Sequence, residues 1–313
     1  MNNPTIHRRE LLKLFTATAG LSFLPRVGMA VGSVNLPATF TYCLNIATIR
    51  GHKLGFIKEL EVASKAGFRG VEIWMDSLQT YLNNGGTLKD AKKRLDDLGL
   101  KVEGAIAFAE WIIDDEERRR KGIEQMKQEM DILAQIGCKR IAAPPAGATD
   151  GAGLDLNRAA DRYRSILELG DRSGVVPHLE LWGFSKNLGR VSEVMYVALQ
   201  SGHPSARVLL DIFHLYKGGS SIDTLRLVNS SAVDILHMND YPADKPPSTI
   251  TDADRIYPGD GHAPIRKVIQ MLKNKERPLV ISVEVFNKNY YSQDPLHVAK
   301  TAIQKMKLVT KGI

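Results

Sequence analysis

Between Thr39 and Thr310, short β-branched runs alternate eight times with segments of helical period. The runs are Thr39–Ala47, Arg69–Met75, Leu100–Ala107, Lys139–Ala146, Val175–Trp182, Ala206–His214, Val233–Met238 and Leu279–Phe286. The helical segments that follow them in turn are Phe56–Ala66, Leu88–Leu98, Glu116–Ile136, Leu154–Ser173, Val191–Ser201, Ser221–Val228, Ile265–Asn274 and Pro295–Val309. Parallel strands cannot be joined by a tight turn, so a repeated strand–helix–strand pattern builds a parallel sheet. Eight such units predict an α/β fold in one domain, a (β/α)8 TIM barrel over residues 39–310. An open doubly wound sheet is the competing arrangement. Four of the helical segments stop at Gly67, Gly99, Gly137 and Gly174, where the missing Cβ permits the left-handed turn into the next strand. Asn239–Ala263 is the longest irregular stretch, and in a barrel it follows strand seven on the rim where such folds do chemistry.

The first thirty residues obey a different rule. His7–Phe15 reads HRRELLKLF, the apolar small-residue run TATAGLSFL follows, and RVGMA ends at Ala30. A basic head, a short apolar centre and small residues before a cut are the parts of a secretory signal. The adjacent Arg8 and Arg9 resemble a twin-arginine signal. Residues 1–30 are therefore expected to be cleaved and the mature protein to be periplasmic. The apolar run is too short for a comfortable span, so no membrane insertion is expected after cleavage. This segment carries +3 of the formal net charge of +7. The remaining charge is spread along the body without a dense basic block, so nucleic acid is not an expected partner. Cys43 and Cys138 lie in apolar contexts and read as buried free thiols; no C-x-x-C pattern is present.

Each of the last four predicted strands ends in a strong metal-ligand side chain: Glu180 in HLELWG, Asp211 in VLLDIFH, His237 in DILHMND and Glu284 in VISVEVF. A carboxylate in an apolar strand is costly unless it is paired or metal-bound. In a parallel barrel all four project onto one rim. Three carboxylates and an imidazole suit one divalent ion, Mn²⁺ first, with Mg²⁺, Co²⁺ or Zn²⁺ also accommodated. The absence of thiolate ligands argues against a structural zinc site. The chain is accordingly expected to be an enzyme.

At these residues the chain resembles the xylose isomerase-like barrel superfamily, and more narrowly the sugar phosphate isomerase/epimerase group that includes ketose 3-epimerases. The resemblance spans roughly residues 39–310 and includes the D-x-x-H step Asp211–His214 and the P-G-x-G turn Pro258–Gly261. It implies that Glu180, Asp211, His237 and Glu284 hold one metal ion. It also implies that Glu180 and Glu284 are the catalytic pair, one removing a proton beside a carbonyl and the other returning one to the opposite face of a cis-enediolate. A small-molecule sugar substrate and a homodimer or homotetramer follow from the same likeness. In one place the chain departs from that pattern. Where ketose 3-epimerases carry a second glutamate after the strand-five ligand, this chain has Lys186, which suits an oxidised or acidic sugar.

Further substrate-facing candidates are His214, Arg255, Glu72, Trp182, Trp111, Phe108 and His262. His214 would bond a hydroxyl or support a ligand. Arg255 would clamp a hydroxyl or anion, and Glu72 would touch substrate or form a rim salt bridge. The aromatic residues would wall a sugar face. Two other functions compete with isomerase or epimerase: a metal-dependent lyase or dehydratase on keto-sugars or glycosides, and a non-catalytic periplasmic sugar-binding protein. Apurinic endonucleases, which share some ligands, need extra histidines on strands two and three, and RGVEIWM and KVEGAIA have none.

Overall fold

A computed structural model describes residues 39–313 apart from 152 and 275, so the expected export signal lies outside the described residues. Eight parallel strands close into a barrel in chain order. They are β1 (Phe40–Asn45), β2 (Gly70–Trp74), β3 (Lys101–Ile106), β4 (Arg140–Ala143), β5 (Val176–Glu180), β6 (Arg207–Asp211), β7 (Ile235–Met238) and β8 (Leu279–Val283). Closure comes from β1 pairing with β8, Phe40 opposite Leu279 and Leu44 opposite Val283. That pairing removes both sheet edges and rules out the open doubly wound alternative.

Helices and short helical turns surround the strands: α1 (Ala47–Arg50), α2 (Phe56–Ala66), α3 (Met75–Asn83), α4 (Leu88–Asp97), α5 (Glu116–Gln135) and α6 (Leu156–Ser173). The second half adds α7 (Val191–Gln200), α8 (Ile212–Lys217), α9 (Ile265–Leu272), α10 (Lys288–Tyr291) and α11 (Pro295–Thr310). Side-chain caps fix several starts. Asp155 accepts the backbone N–H groups of Asn157 and Arg158, and Asp294 accepts that of His297 beside a proline at the first helical position. The helix expected over Ser221–Val228 is instead a 3₁₀ run, Ile222–Leu227. Its place is taken by α8, which begins directly at the end of β6, capped by Asp211 Oδ1 on the His214 N–H at 3.0 Å. What remains before β7 winds only into short 3₁₀ turns. Helix α3 was not anticipated.

Strand alternation divides the core in two. Leu179, Val208, Leu210, Leu236, Ile281 and Val283 pack toward the helices in the outer core. Cys43, Ile106, Ala142, Leu209, Ile235 and Val280 fill the barrel interior. Both cysteines are free and buried. Between β2 and β3 the register slips so that Val71 faces Val102 while Glu72 faces Gly104, leaving Glu103 as the extra residue of a bulge. Glu103 then turns to the N-terminal end of the barrel and meets Arg140 at 3.0 Å. Arg140 in turn reaches Asp234 at 3.3 Å, which Arg277 also pairs. This ionic plug stands at the end of the barrel opposite the C-terminal rim.

Candidate metal centre and chamber

The inward residues of the last four strands lead two by two to the C-terminal rim. His178 is followed by Glu180, Leu209 by Asp211, Ile235 by His237, and Ser282 by Glu284. All four predicted ligands are buried. His237 Nδ1 lies 3.2 Å from Glu284 Oε2, 3.6 Å from Asp211 Oδ2 and 4.0 Å from Glu180 Oε1. Ligand atoms of Asp211, His237 and Glu284 all lie within 4.8 Å of one another. Neither His237 Nδ1 nor Glu180 Oε2 has a hydrogen-bond partner.

Glu72 fixes the orientation of this imidazole. His237 Nε2–H donates to Glu72 Oε2 at 2.9 Å, which turns Nδ1 toward the three carboxylates. The same oxygen accepts from Ser282 Oγ at 2.8 Å and Asn45 Nδ2 at 3.0 Å. Glu72 is thus fully buried behind the ligands and does not reach the chamber above them.

The charges around Nδ1 call for a cation. Burial alone would lower the His237 pKa, but the Glu284 and Glu72 carboxylates outweigh it and hold the ring well above its ordinary value. Burial pushes the Glu180 carboxyl up to about 8 against the pull of His237, and repulsion from Glu284, Glu72 and Asp211 adds to it. An unpartnered nitrogen facing three carboxylates must hold either a proton or a metal ion, and the two compete. The donor set, three hard carboxylates and one imidazole, fits a single divalent ion.

Two residues brace the ligands from the side. Arg255 Nη1 donates to Asp211 Oδ2 and Glu284 Oε2, both at 2.8 Å, and Nη2 to Asp252 at 2.5 Å. Arg255 is 1% exposed, so its charge is committed to these carboxylates. Its Nη2 also donates to His214 Nε2 at 3.1 Å. That assigns the remaining proton of His214 to Nδ1, which has no partner. Burial and Arg255 keep this ring neutral, its pKa lowered to about 4. Asn239 Nδ2 donates to both Asp211 oxygens at 3.1 Å.

The loop carrying Arg255 is tied down by Asp240. Its two carboxylate oxygens accept the N–H groups of Tyr241, Gly259, Gly261 and Ala263 at 2.8 to 3.0 Å. A Cβ on Gly261 would sit 2.2 Å from Tyr241 O. The P-G-x-G turn therefore serves to close this loop rather than to present His262.

Above the ligands lies a chamber of about 410 Å³ whose lining includes Glu180, Glu284, His214, Arg255, Trp182 and Phe108. A larger groove of about 840 Å³ runs beside it between α2 and α3, but it shares only Phe286 with the chamber and holds none of the converging ligands. Besides Glu72, three predicted residues are not brought to the chamber. Trp111 is 0% exposed in the core, its indole N–H donating to Pro144 O at 2.9 Å and its ring against Tyr163. Lys186 is exposed, with its backbone N–H on Thr149 O at 2.9 Å. His262 is exposed outside the Asp240 knot. Sequence reasoning missed Asn45 and Asn239, neutral residues whose partners come from other strands, and Asp252, whose partner Arg255 lies three residues further along the same loop.

Comparison with known proteins agrees with the barrel fold. The family described as xylose isomerase-like TIM barrel matches residues 60–309. The inosose isomerase of Halalkalibacterium halodurans is 28% identical over 268 residues, covering 83% of this chain and 93% of that protein. The 3-dehydroshikimate dehydratase of Pseudomonas putida is 22% identical over 185 residues, 59% of this chain but 28% of that longer protein. Among solved structures, the IolI protein with a bound zinc atom superposes with a TM-score of 0.78 at 25% identity, covering 87% of this chain and 98% of that one.

Proposed function

The chain belongs to the xylose isomerase-like TIM barrel family, and from that premise we propose that it is a carbohydrate isomerase or epimerase that shifts a proton beside the carbonyl of a neutral keto-sugar or keto-cyclitol. One observation carries the reading: an unpartnered His237 Nδ1 directed at Glu180, Asp211 and Glu284. These four residues would hold one divalent ion, manganese by the hardness of the donors. When bound, the ion polarises the carbonyl and acidifies the neighbouring C–H.

The two glutamates are held differently. Glu284 is pinned at Oε1 by Asn45 Nδ2 at 3.0 Å and at Oε2 by Arg255 at 2.8 Å. Glu180 keeps Oε2 free of any partner. The Glu180 carboxylate, which lines the chamber without such a pin, is therefore our choice for the group that takes the substrate proton. In an epimerisation Glu284, three strands round the ring, takes a proton from solvent and delivers it to the other face, and Glu180 gives its own proton back to solvent to reset the pair. If Glu180 works alone, the same enediolate gives isomerisation. His214 Nδ1–H donates to a substrate hydroxyl. The chamber's lining arginine is committed to Asp211, Glu284 and Asp252, which disfavours a phosphorylated substrate. The likeness to 3-dehydroshikimate dehydratase supports a second reading, in which the same C–H cleavage expels a β-hydroxyl as water.

The test is NMR in D₂O with the manganese-loaded protein and a panel of inososes and keto-sugars. Deuterium at the carbon next to the carbonyl without loss of water supports the isomerase or epimerase reading. Loss of water supports the dehydratase. Ligand binding without either would mean a binding protein. Export through residues 1–30 is also proposed, and a reporter fused to that segment should reach the periplasm in a twin-arginine-dependent manner.

A further inference from the structure

The chamber mouth is aromatic almost all the way round. Phe286, Trp74, Phe108, Trp182, Phe184 and His214 form an unbroken chain of ring contacts with centroid separations of 6.1, 5.4, 6.0, 5.2 and 5.6 Å. All six line the cavity of about 410 Å³, a volume in the range that encloses drug-sized ligands. Two of the rings are left in water: Phe108 is 43% exposed and Phe184 46%. Trp182 lies between them, stacked on Phe184 at an interplanar angle of 29°. The arginine in the lining is already paired with Asp211, Glu284 and Asp252, so the collar offers no free cation to an anionic group. The two exposed phenyl rings offer cover to whatever part of a ligand extends out of the chamber. Exposed apolar surface bordering an active site marks where a ligand's own apolar surface goes.

We infer that the substrate is a glycoside: a keto-sugar seated at the ligand cluster, with an O-linked second ring whose apolar face lies against Phe108 and Phe184. A pyranose and an aryl group share the required chemistry, since each presents a flat C–H or π surface to an aromatic ring. This inference rests on the keto-sugar reading above and sharpens its substrate class.

The test compares three probes in D₂O with the manganese-loaded protein: 3-dehydro-D-glucose, its phenyl β-glycoside and its β-glucosyl disaccharide. At least one two-ring compound should exchange with a kcat/KM about tenfold or more above the free sugar. Which one leads separates the aryl from the pyranose source. In the double variant Phe108→Ala/Phe184→Ala the ratio should fall toward one. Phe184→Leu, which keeps apolar volume but removes the ring, serves the same comparison should the double variant not fold. A ratio near one in the native protein, or a ratio unchanged by the substitutions, overturns the glycoside inference and leaves the isomerase reading standing. Exchange in none of the three, and in no inosose, overturns both.

Discussion

Glu72 and His237, 165 residues apart, meet on the barrel axis with the imidazole Nε2–H donating to the carboxylate at 2.9 Å. Burial would raise the Glu72 pKa, but the His237 charge and the hydrogen bonds from His237, Ser282 and Asn45 outweigh it and keep it ionised. An ionised partner on one ring nitrogen raises the basicity of the other and fixes which way it points. Glu72 is thus placed to position the imidazole that faces the carboxylates, and it does not line the chamber.

Glu72→Gln keeps an acceptor oxygen but removes the charge. Affinity for manganese, measured by isothermal titration calorimetry, should fall about 10-fold, and about 100-fold in Glu72→Ala. A metal affinity unchanged in both variants would refute the positioning role. Glu72 was half legible in sequence. The sequence offers it as a substrate contact or a rim salt-bridge partner, while its actual partner, His237, could not be read. That Glu72 stands opposite Gly104 rather than Glu103 depends on the bulge in β3, which no local pattern announces.

Glu180 and Asp211 should fail differently. Asp211 is held by Asn239 and Arg255 and faces Nδ1, whereas Glu180 lines the chamber and keeps one oxygen without a partner. Glu180→Gln should abolish solvent exchange by about 10²- to 10⁴-fold while retaining most of the metal. Asp211→Asn should lose the metal as well, measured by metal analysis after dialysis. Chelator treatment of the native protein should reproduce the Asp211→Asn behaviour, with restoration by manganese.

The convergence of Glu180, Asp211, His237 and Glu284 was readable because a carboxylate closing a run of Val and Leu has few stable places to go, and strand alternation carries it inward. The barrel was readable for a related reason: eight alternations leave little choice of topology. Trp111 was not readable, since a loop aromatic can face a chamber or the helices. Here Arg162 bonds Ile112 O and draws that loop onto α6. Asn45 and Asn239 gave no signal at all, because a neutral amide at a strand end is equally at home in water.

Gly104 marks the close approach that Glu72 requires. A Cβ there would lie 2.8 Å from Ile235 Cδ1 and 2.9 Å from Glu72 Oε1. Gly104→Ala must push one of them aside, at a cost of about 1–3 kcal/mol in denaturant unfolding. If the displaced group is Glu72, metal affinity falls in parallel. Unchanged stability would mean that the barrel centre is looser than these distances imply.

Asp234 anchors the opposite end of the barrel, and its variant separates stability from chemistry. Burial alone would raise its pKa, but His178 and the guanidinium groups of Arg140, Arg277 and Arg207 outweigh it and hold the carboxyl below its ordinary value. Arg277 pairs it directly, Arg140 at 3.3 Å and Arg207 at 3.7 Å. In Asp234→Asn the arginines lose that charge while the shape is kept, so unfolding free energy at neutral pH should drop by roughly 2 kcal/mol. The unfolded carboxyl titrates near ~3.9 and the folded one lower. Its contribution is therefore fully present above about pH 5 and is lost as pH falls through the folded value. The gap between native protein and variant should hold constant from neutrality to about pH 5 and close below about pH 4, followed by urea unfolding across that range. Solvent exchange at neutral pH should continue in the folded variant, because the plug and the ligand cluster lie at opposite ends of the same strands.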